Sequence, residues 1–140
     1  MPSNVNTQFS LAVHMLTLLG RRPGVMQPSG ALAGSAGASP VHVRRVLGRL
    51  RRAGLVRSRN GPGGGWLVEG EVCAITLDVV WAAIHGDGPV LGLHEASPDC
   101  ETGQQIQDAL GALDRRAAAA LVAELERTTV GDLVDATVHA

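Results

Sequence analysis

The 140-residue sequence predicts a mostly α-helical chain with one small β-hairpin and a long helix near its C-terminus. Three observations predict this. Apolar residues recur three and four positions apart in several separate segments, the spacing of one helix face. A glycine-rich run at 60–65 parts two short strand candidates. An apolar stripe of Ile106, Leu110, Leu113, Ala117, Leu121 and Leu125 continues for about five turns.

The elements follow in chain order. Residues 1–5 read as a loose end. Phe9, Val13, Leu16 and Leu19 mark a first helix over 6–19, with Asn6 or Thr7 as its cap, and Arg21-Arg22-Pro23-Gly24 ends it. Pro28-Ser29-Gly30 precedes a short helix of small residues at 31–36, whose one large apolar side chain is Leu32 and whose stop is Gly37. Ser39-Pro40 is the clearest start signal. Serine caps the free amides of a first turn, and proline is already shaped for the first helical position. Val43, Val46, Leu47 and Leu50 then form one buried face of a third helix, which Gly54 ends.

Strand candidates at 55–59 and 66–68 flank the turn and together read as a hairpin with a flexible tip. Thr76 heads a helix over 77–85, anchored by Val80, Trp81 and Ile84. Residues 86–98 read as a loop. The long helix begins near Thr102, and Gly111 weakens its stripe without shifting the phase. Thr129-Val130-Gly131-Asp132 has the form of a capping box with aspartate in the reciprocal place, opening a last helix through Asp135.

Composition sets outer bounds. Apolar residues make up 45%, enough for a core, and the length suits one domain with a helical extension. No apolar run reaches the ~18 residues of a membrane span. No secretory signal pattern is visible, so a cytoplasmic, reduced setting is expected. Cys73 and Cys100 are too few for a disulfide scaffold. The net charge of −1 excludes a globally basic chain, yet the charge is unevenly spread. Residues 1–68 hold nine arginines and no acid; residues 69–140 hold three arginines and all 13 acids. Such a split points to a polyanion-binding first lobe, with an acidic remainder turned away from the polyanion.

Helix, short helix, capped basic helix and glycine-tipped hairpin is the order of a winged helix-turn-helix. In that architecture the third helix enters the DNA major groove and the hairpin lies along the backbone or the adjacent minor groove. The expected division is 1–70 as the DNA-binding domain, 71–101 as a connecting helix and loop, and 102–140 as a helical dimerisation region. A long helix with an apolar stripe needs a partner. A two-fold homodimer supplies one and would read a palindrome in double-stranded DNA.

Several stretches carry a family resemblance. They are Phe9-Ser10-Leu11-Ala12-Val13-His14, Ser39 through Leu47, Arg51-Arg52-Ala53-Gly54-Leu55-Val56, Gly63-Gly64-Gly65-Trp66-Leu67-Val68 and Ile75-Thr76-Leu77-Asp78-Val79. Over about residues 6–135 the chain resembles the Rrf2-type winged helix-turn-helix transcriptional regulators, the family of IscR, NsrR and CymR. The resemblance implies a bacterial DNA-binding dimer, usually a repressor. Many members hold an iron–sulfur cluster on three cysteines in the loop before the long helix. Here only Cys100 lies in that loop, with His94, Glu95, Asp99 and Glu101 around it, so no cofactor or metal is expected and the chain resembles the cluster-free branch.

The candidate DNA contacts are Ser29, Ser39, Pro40, Val41, His42, Arg44, Arg45, Arg49, Arg57, Arg59 and Asn60. Arginine can pair with guanine or neutralise a phosphate, and Val41 can meet a thymine methyl. Arg59 suits a minor groove, and Ser29 can offer a helix N-terminus to a phosphate. Arg51 and Arg52 are alternatively partners for acids of the second half. Gly63, Gly64 and Gly65 permit either a close approach to the backbone or simply the turn. Trp66, Trp81, His14 and Cys73 read as packing residues. Cys100 reads either as inert or as a thiol sensor at a helix start. The stripe from Ile106 to Leu125 is the dimerisation face. A winged helix used only to bind other proteins is the competing reading. An enzyme is not expected, since Cys100 and His94 have no evident oxyanion site.

Overall fold

The computed structural model describes residues 5–138. Its elements are α1 (Val5–Arg21), α2 (Ser29–Ala36), α3 (Pro40–Arg52), β1 (Val56–Arg59), β2 (Gly65–Val68), α4 (Leu77–His85), α5 (Glu101–Leu125) and α6 (Val130–Val138). A 3-10 turn at Val72–Ala74 joins the hairpin to α4 and has no counterpart in the periodicity. The expected loose end at 1–5 lies outside the described residues except for Val5, which already belongs to α1. Neither Asn6 nor Thr7 is therefore its cap.

One hydrophobic core holds the chain. Met15, Leu16 and Leu19 of α1, Leu32 of α2, Val43, Val46, Leu47 and Leu50 of α3, Val80 of α4 and Val130 of α6 are all buried. Removing such side chains from water is worth about 1.5–3 kcal/mol each. The α2–α3 corner is made by Gly37 at φ 63, whose left-handed backbone lets its amide and that of Ala38 bond the last α2 carbonyls. Ser39 then caps α3: its hydroxyl accepts from the His42 amide at 3.1 Å.

The hairpin is antiparallel, with Val56 opposite Val68 and Arg59 opposite Gly65. It is pinned from outside by Gln27, whose backbone exchanges two 2.9 Å hydrogen bonds with Trp66. Gly65 adopts φ 145, and a Cβ there would sit 2.6 Å from the Gln27 carbonyl oxygen. That strand thus needs a glycine for contact with the protein's own backbone.

The C-terminal boundary differs from the expected one. Residues 130–138 do not extend a separate dimerisation region but return to the first domain. Val130 enters its core and α6 packs on α1 and the 3-10 turn. The reason is a small bridge, Ile75–Leu77 against Thr128–Val130, with the Leu77 and Val130 amides bonded across it at 3.0 and 2.8 Å. Thr76 heads α4 through this bridge, without a side-chain cap bond. The capping box forms: the Thr129 amide donates to Asp132 at 2.9 Å and the Asp132 amide to the Thr129 hydroxyl at 3.0 Å. The helix it opens continues beyond Asp135 to Val138.

Helix α5 stands apart. Its one buried residue is Asp114, whose carboxylate accepts the Val90 and Leu91 amides at 2.9 and 2.7 Å. Gln107 accepts the Ala96 amide, and Gln104 donates to the Ala96 and Ser97 carbonyls. The loop before α5 is thereby strapped along the helix it precedes. These three residues were not apparent from sequence, because a polar residue in a loop-facing row has no periodic signature.

Candidate nucleic-acid interface

Helix α3 buries one side and presents the other. Val41 is 60% exposed, and Arg44, Arg45, Arg51 and Arg52 are exposed on the same outward surface. Arg44, Arg45 and Arg52 have no hydrogen bond or ion pair among the described residues. Free guanidinium groups in a row, with no acid among them, form an unneutralised positive strip. That arrangement favours a polyanion over water by counterion release.

Beside this strip lies an open cleft of about 330 Å³ between α3, the N-terminus of α2 and the hairpin tip. It brings together four of the expected contacts, Ser29, Arg44, Arg59 and Asn60. Arg51 forms its floor: Nη1 donates to the Ser58 hydroxyl at 2.7 Å, and the guanidinium lies 5.3 Å from the centre of the Trp66 ring. Arg51 therefore fixes the wing against α3 and does not pair with an acid. Arg59 sits over the wing tip, donating to the Gly63 carbonyl at 3.3 Å. Gly64 supplies the tight turn, since a Cβ there would collide with the Arg59 carbonyl oxygen.

Other expected contacts are placed differently. Ser39 spends its hydroxyl on capping, so its role is to start α3 and present Pro40 and Val41 outward. His42 is half-buried, with its amide in that cap. Arg57 pairs with Glu69 at 3.2 Å on the hairpin face opposite Ser58. Both partners are largely exposed, so a phosphate can take the place of Glu69 at small cost.

Arg49 is a correction. It is half-buried and turned away from the outward strip: Nη1 donates to the Ile84 carbonyl at 2.9 Å and to Gln8 Oε1 at 3.2 Å. A cation at the last turn of α4 satisfies a free carbonyl and opposes the helix dipole. Arg49 thus ties α3 to α4 and α1. His14 and Cys73 are also corrections, both exposed rather than packed inside. The tryptophans do pack: Trp81 is buried edge-on to Phe9 and stacked on His85, and Trp66 is half-buried under Arg51. Gln27, which ties the wing to the α1–α2 connection, was missed because one residue makes the bridge.

The stripe on α5 is apolar and open at its start, with Ile106, Leu110 and Leu113 at 54%, 39% and 44% exposure. Ala117, Leu121 and Leu125 are half-buried. Cys100 is exposed at the N-cap of α5, where its sulfur accepts the Gly103 amide at 3.3 Å. Among the described residues no three of His, Cys, Asp and Glu come together as a metal-binding group. Cys100 is the one thiol of the loop before α5, and Cys73 sits on the 3-10 turn against Gly131 of α6. No helix among the described residues is long and apolar enough to cross a membrane.

Comparison with known proteins bears directly on this geometry. Residues 5–136 match the Rrf2 family, described as an iron-dependent transcriptional regulator. YwnA of Bacillus subtilis (strain 168), named as an HTH-type transcriptional regulator, is 28% identical over 94% of this chain and 97% of its own. The structure of CymR, described as the global cysteine regulator of B. subtilis, is 25% identical, covers 96% of this chain and 98% of CymR, and has a TM-score of 0.65. A regulator structure from Lactobacillus plantarum shares the fold at a TM-score of 0.80 with 22% identity, over 94% of this chain and 90% of that one. With its basic α3 and glycine-tipped wing, the chain belongs to the Rrf2 family and is a winged-helix DNA-binding transcriptional regulator.

Proposed function

We propose that the protein acts as a homodimeric repressor on a palindromic operator, with α3 in the major groove and the wing on the flanking backbone. The observation that carries this is the continuity of the outward α3 strip with the Ser29–Arg59 cleft. Val41, Arg44 and Arg45 are set to read base edges from the first turns of α3. Ser29, Arg59 and Asn60 take phosphates or the minor groove, which sets the register of the helix. The open apolar stripe of α5 pairs with a second copy and sets the distance between two reading heads, about one helical turn of DNA apart. Repression follows if a dimer held across such a site excludes the transcription machinery.

Selection from a random-sequence DNA library at two salt concentrations tests the reading. An enriched palindrome whose affinity falls steeply with salt is the expected result. Arg45→Ala should lower that affinity about 10- to 100-fold while leaving the sedimentation mass unchanged. No enrichment, or an Arg45→Ala protein of unchanged affinity, removes α3 from the mechanism and leaves a protein-interaction module.

Cys100 adds a switch to this proposal. Its thiol is open to solvent and holds the first turn of α5, so modification of the sulfur replaces the acceptor used by the Gly103 amide. The spacing of the reading heads would then change with the start of the dimer helix. Oxidant-treated wild type should release the operator and oxidant-treated Cys100→Ser should hold it. Release by both proteins ends the idea.

A further inference from the structure

The wing is a two-stranded hairpin, and two strands alone do not hold an orientation in water. Its base is anchored by Val56 and Val68, a cross-strand pair buried in the core. Toward the tip, Ser58 opposite Trp66 is the last pair in which both strands carry a side chain, since Arg59 faces Gly65. The direction in which Arg59 and Asn60 point is therefore decided by what holds Ser58 and Trp66.

That pair is clamped from two directions. From α3, Arg51 reaches both members at once: Nη1 donates to the Ser58 hydroxyl at 2.7 Å, and the guanidinium lies 5.3 Å from the centre of the Trp66 ring. From the α1–α2 connection, the Gln27 backbone exchanges two 2.9 Å bonds with Trp66, and Gln27 Nε2 donates to the Leu18 carbonyl of α1 at 3.1 Å. Arg51 follows Arg44 by seven residues, so the two lie on one row of α3, about 10 Å apart along its axis. One rigid helix thus carries both a candidate base-reading arginine and the arginine that grips the wing. A planar guanidinium can cover a ring and donate at its edge together, which a lysine ammonium cannot.

We propose that Arg51 is a positioning residue for sequence readout. Without contacting a base, it sets the angle of the wing to α3, and so the place where Arg59 and Asn60 meet the DNA while Arg44 and Arg45 occupy the major groove. Base preference at the flanks of each half-site then depends on Arg51, and preference at its centre depends on α3. Narrow A/T-rich minor grooves attract arginine, so the flank preference is for A/T. The readout role rests on the proposed operator binding; the grip of Arg51 on the wing does not.

The test uses the full-length protein and a selected operator with either A/T or G/C flanks, each at two salt concentrations. Arg51→Lys keeps the charge at an exposed position and removes the double grip. Wild type should favour the A/T flanks about tenfold, and Arg51→Lys by no more than about twofold, with central base preference and salt slope unchanged. Ser58→Ala, which leaves Arg51 in place without its acceptor, should lower the flank ratio in the same direction. Arg44→Ala should do the reverse, keeping the flank ratio and lowering the salt slope by about one. A flank ratio kept in Arg51→Lys, a wild type indifferent to its flanks, or a variant that loses central and flank preference together overturns the readout role. Without DNA, hydrogen exchange at residues 56–59 and 65–68 should quicken in Arg51→Lys while the α1 core amides stay protected. Unchanged exchange in the hairpin overturns the grip. If wild type selects no operator, the proposed function falls and the readout role with it, whereas the exchange result still decides whether Arg51 holds the wing.

Discussion

Helices α3 and α5 are both amphipathic, yet they are built in opposite senses. Helix α3 sends Val43, Val46, Leu47 and Leu50 into the chain's own core and shows charge to the outside. Helix α5 is nearly twice as long, buries one acid, and shows Ile106, Leu110 and Leu113 to the outside. The apolar side of α3 is satisfied within one chain, so its outward side is free for a ligand of opposite charge. The apolar side of α5 is not satisfied among the described residues, so its outward side is where the proposed second copy would pack. The same periodic pattern in sequence carries both meanings, and only the location of packing partners separates them.

The largest expected effect follows from this contrast. Leu47→Ala should cost about 2–5 kcal/mol in urea unfolding, at any protein concentration, because it opens a cavity in a closed core. Leu110→Asp should leave each chain folded and convert a dimer to monomers in sedimentation. A Leu110→Asp protein that stays dimeric, or a Leu47→Ala protein that keeps its midpoint, would erase the distinction between the two helices.

Next in size is Asp114→Ala. The substitution leaves the Val90 and Leu91 amides without their acceptor, and each such loss costs about 1–3 kcal/mol when the donor is buried. The loss should show as faster hydrogen exchange at those two amides, with the α1–α3 core unaffected. Slow exchange in the variant would mean that the loop is held to α5 by other contacts.

Arginines on opposite edges of α3 give the third comparison. Arg44→Ala should lower operator affinity by about 1–3 kcal/mol and the salt dependence by about one phosphate contact, with stability unchanged. Arg49→Ala should lower thermal stability by about 1–2 kcal/mol through the lost charge-assisted bond to Ile84. Its effect on affinity should follow that loss of stability. If the two variants exchange phenotypes, the outward strip has been assigned to the wrong edge.

That pair also marks the limit of legibility. The third helix was plain from Ser39-Pro40, the apolar spacing and Gly54; the hairpin from six turn residues; the long helix from its stripe. The ends were less plain: α2 begins at Ser29 just after the Gln27–Trp66 bridge, α5 begins at Glu101 behind the Cys100 cap, and α6 returns to the core through the Thr76–Thr129 bridge. At the site, Arg44 and Arg49 each lie roughly 60° around the helix from a buried residue, Leu47 and Val46. Nothing in periodicity separates them. The wing covers one edge and α4 the other, and that choice is a property of tertiary packing. Asp114 was invisible for the same reason, its partners being amides in a loop of unrelated sequence.

The smallest effect sharpens the comparison most closely. Each helix carries one glycine in its interior, Gly48 in α3 and Gly111 in α5, and both are half-buried. A Cβ at either place meets nothing closer than an arginine nitrogen four residues on, 3.8 Å away in both cases. In an isolated chain each alanine variant should therefore gain about 0.5–1 kcal/mol from reduced backbone freedom in the unfolded state. Gly48→Ala should show this gain in thermal unfolding and bind the operator more weakly, because the added methyl stands between Arg44, Arg45 and Arg52 where the DNA approaches. Gly111→Ala should show the gain in dilute protein and lose it as concentration rises, if a second α5 crosses close to this point. Equal gains at all concentrations with undiminished operator affinity would mean that both faces remain open to water, and would remove the roles assigned here to each helix.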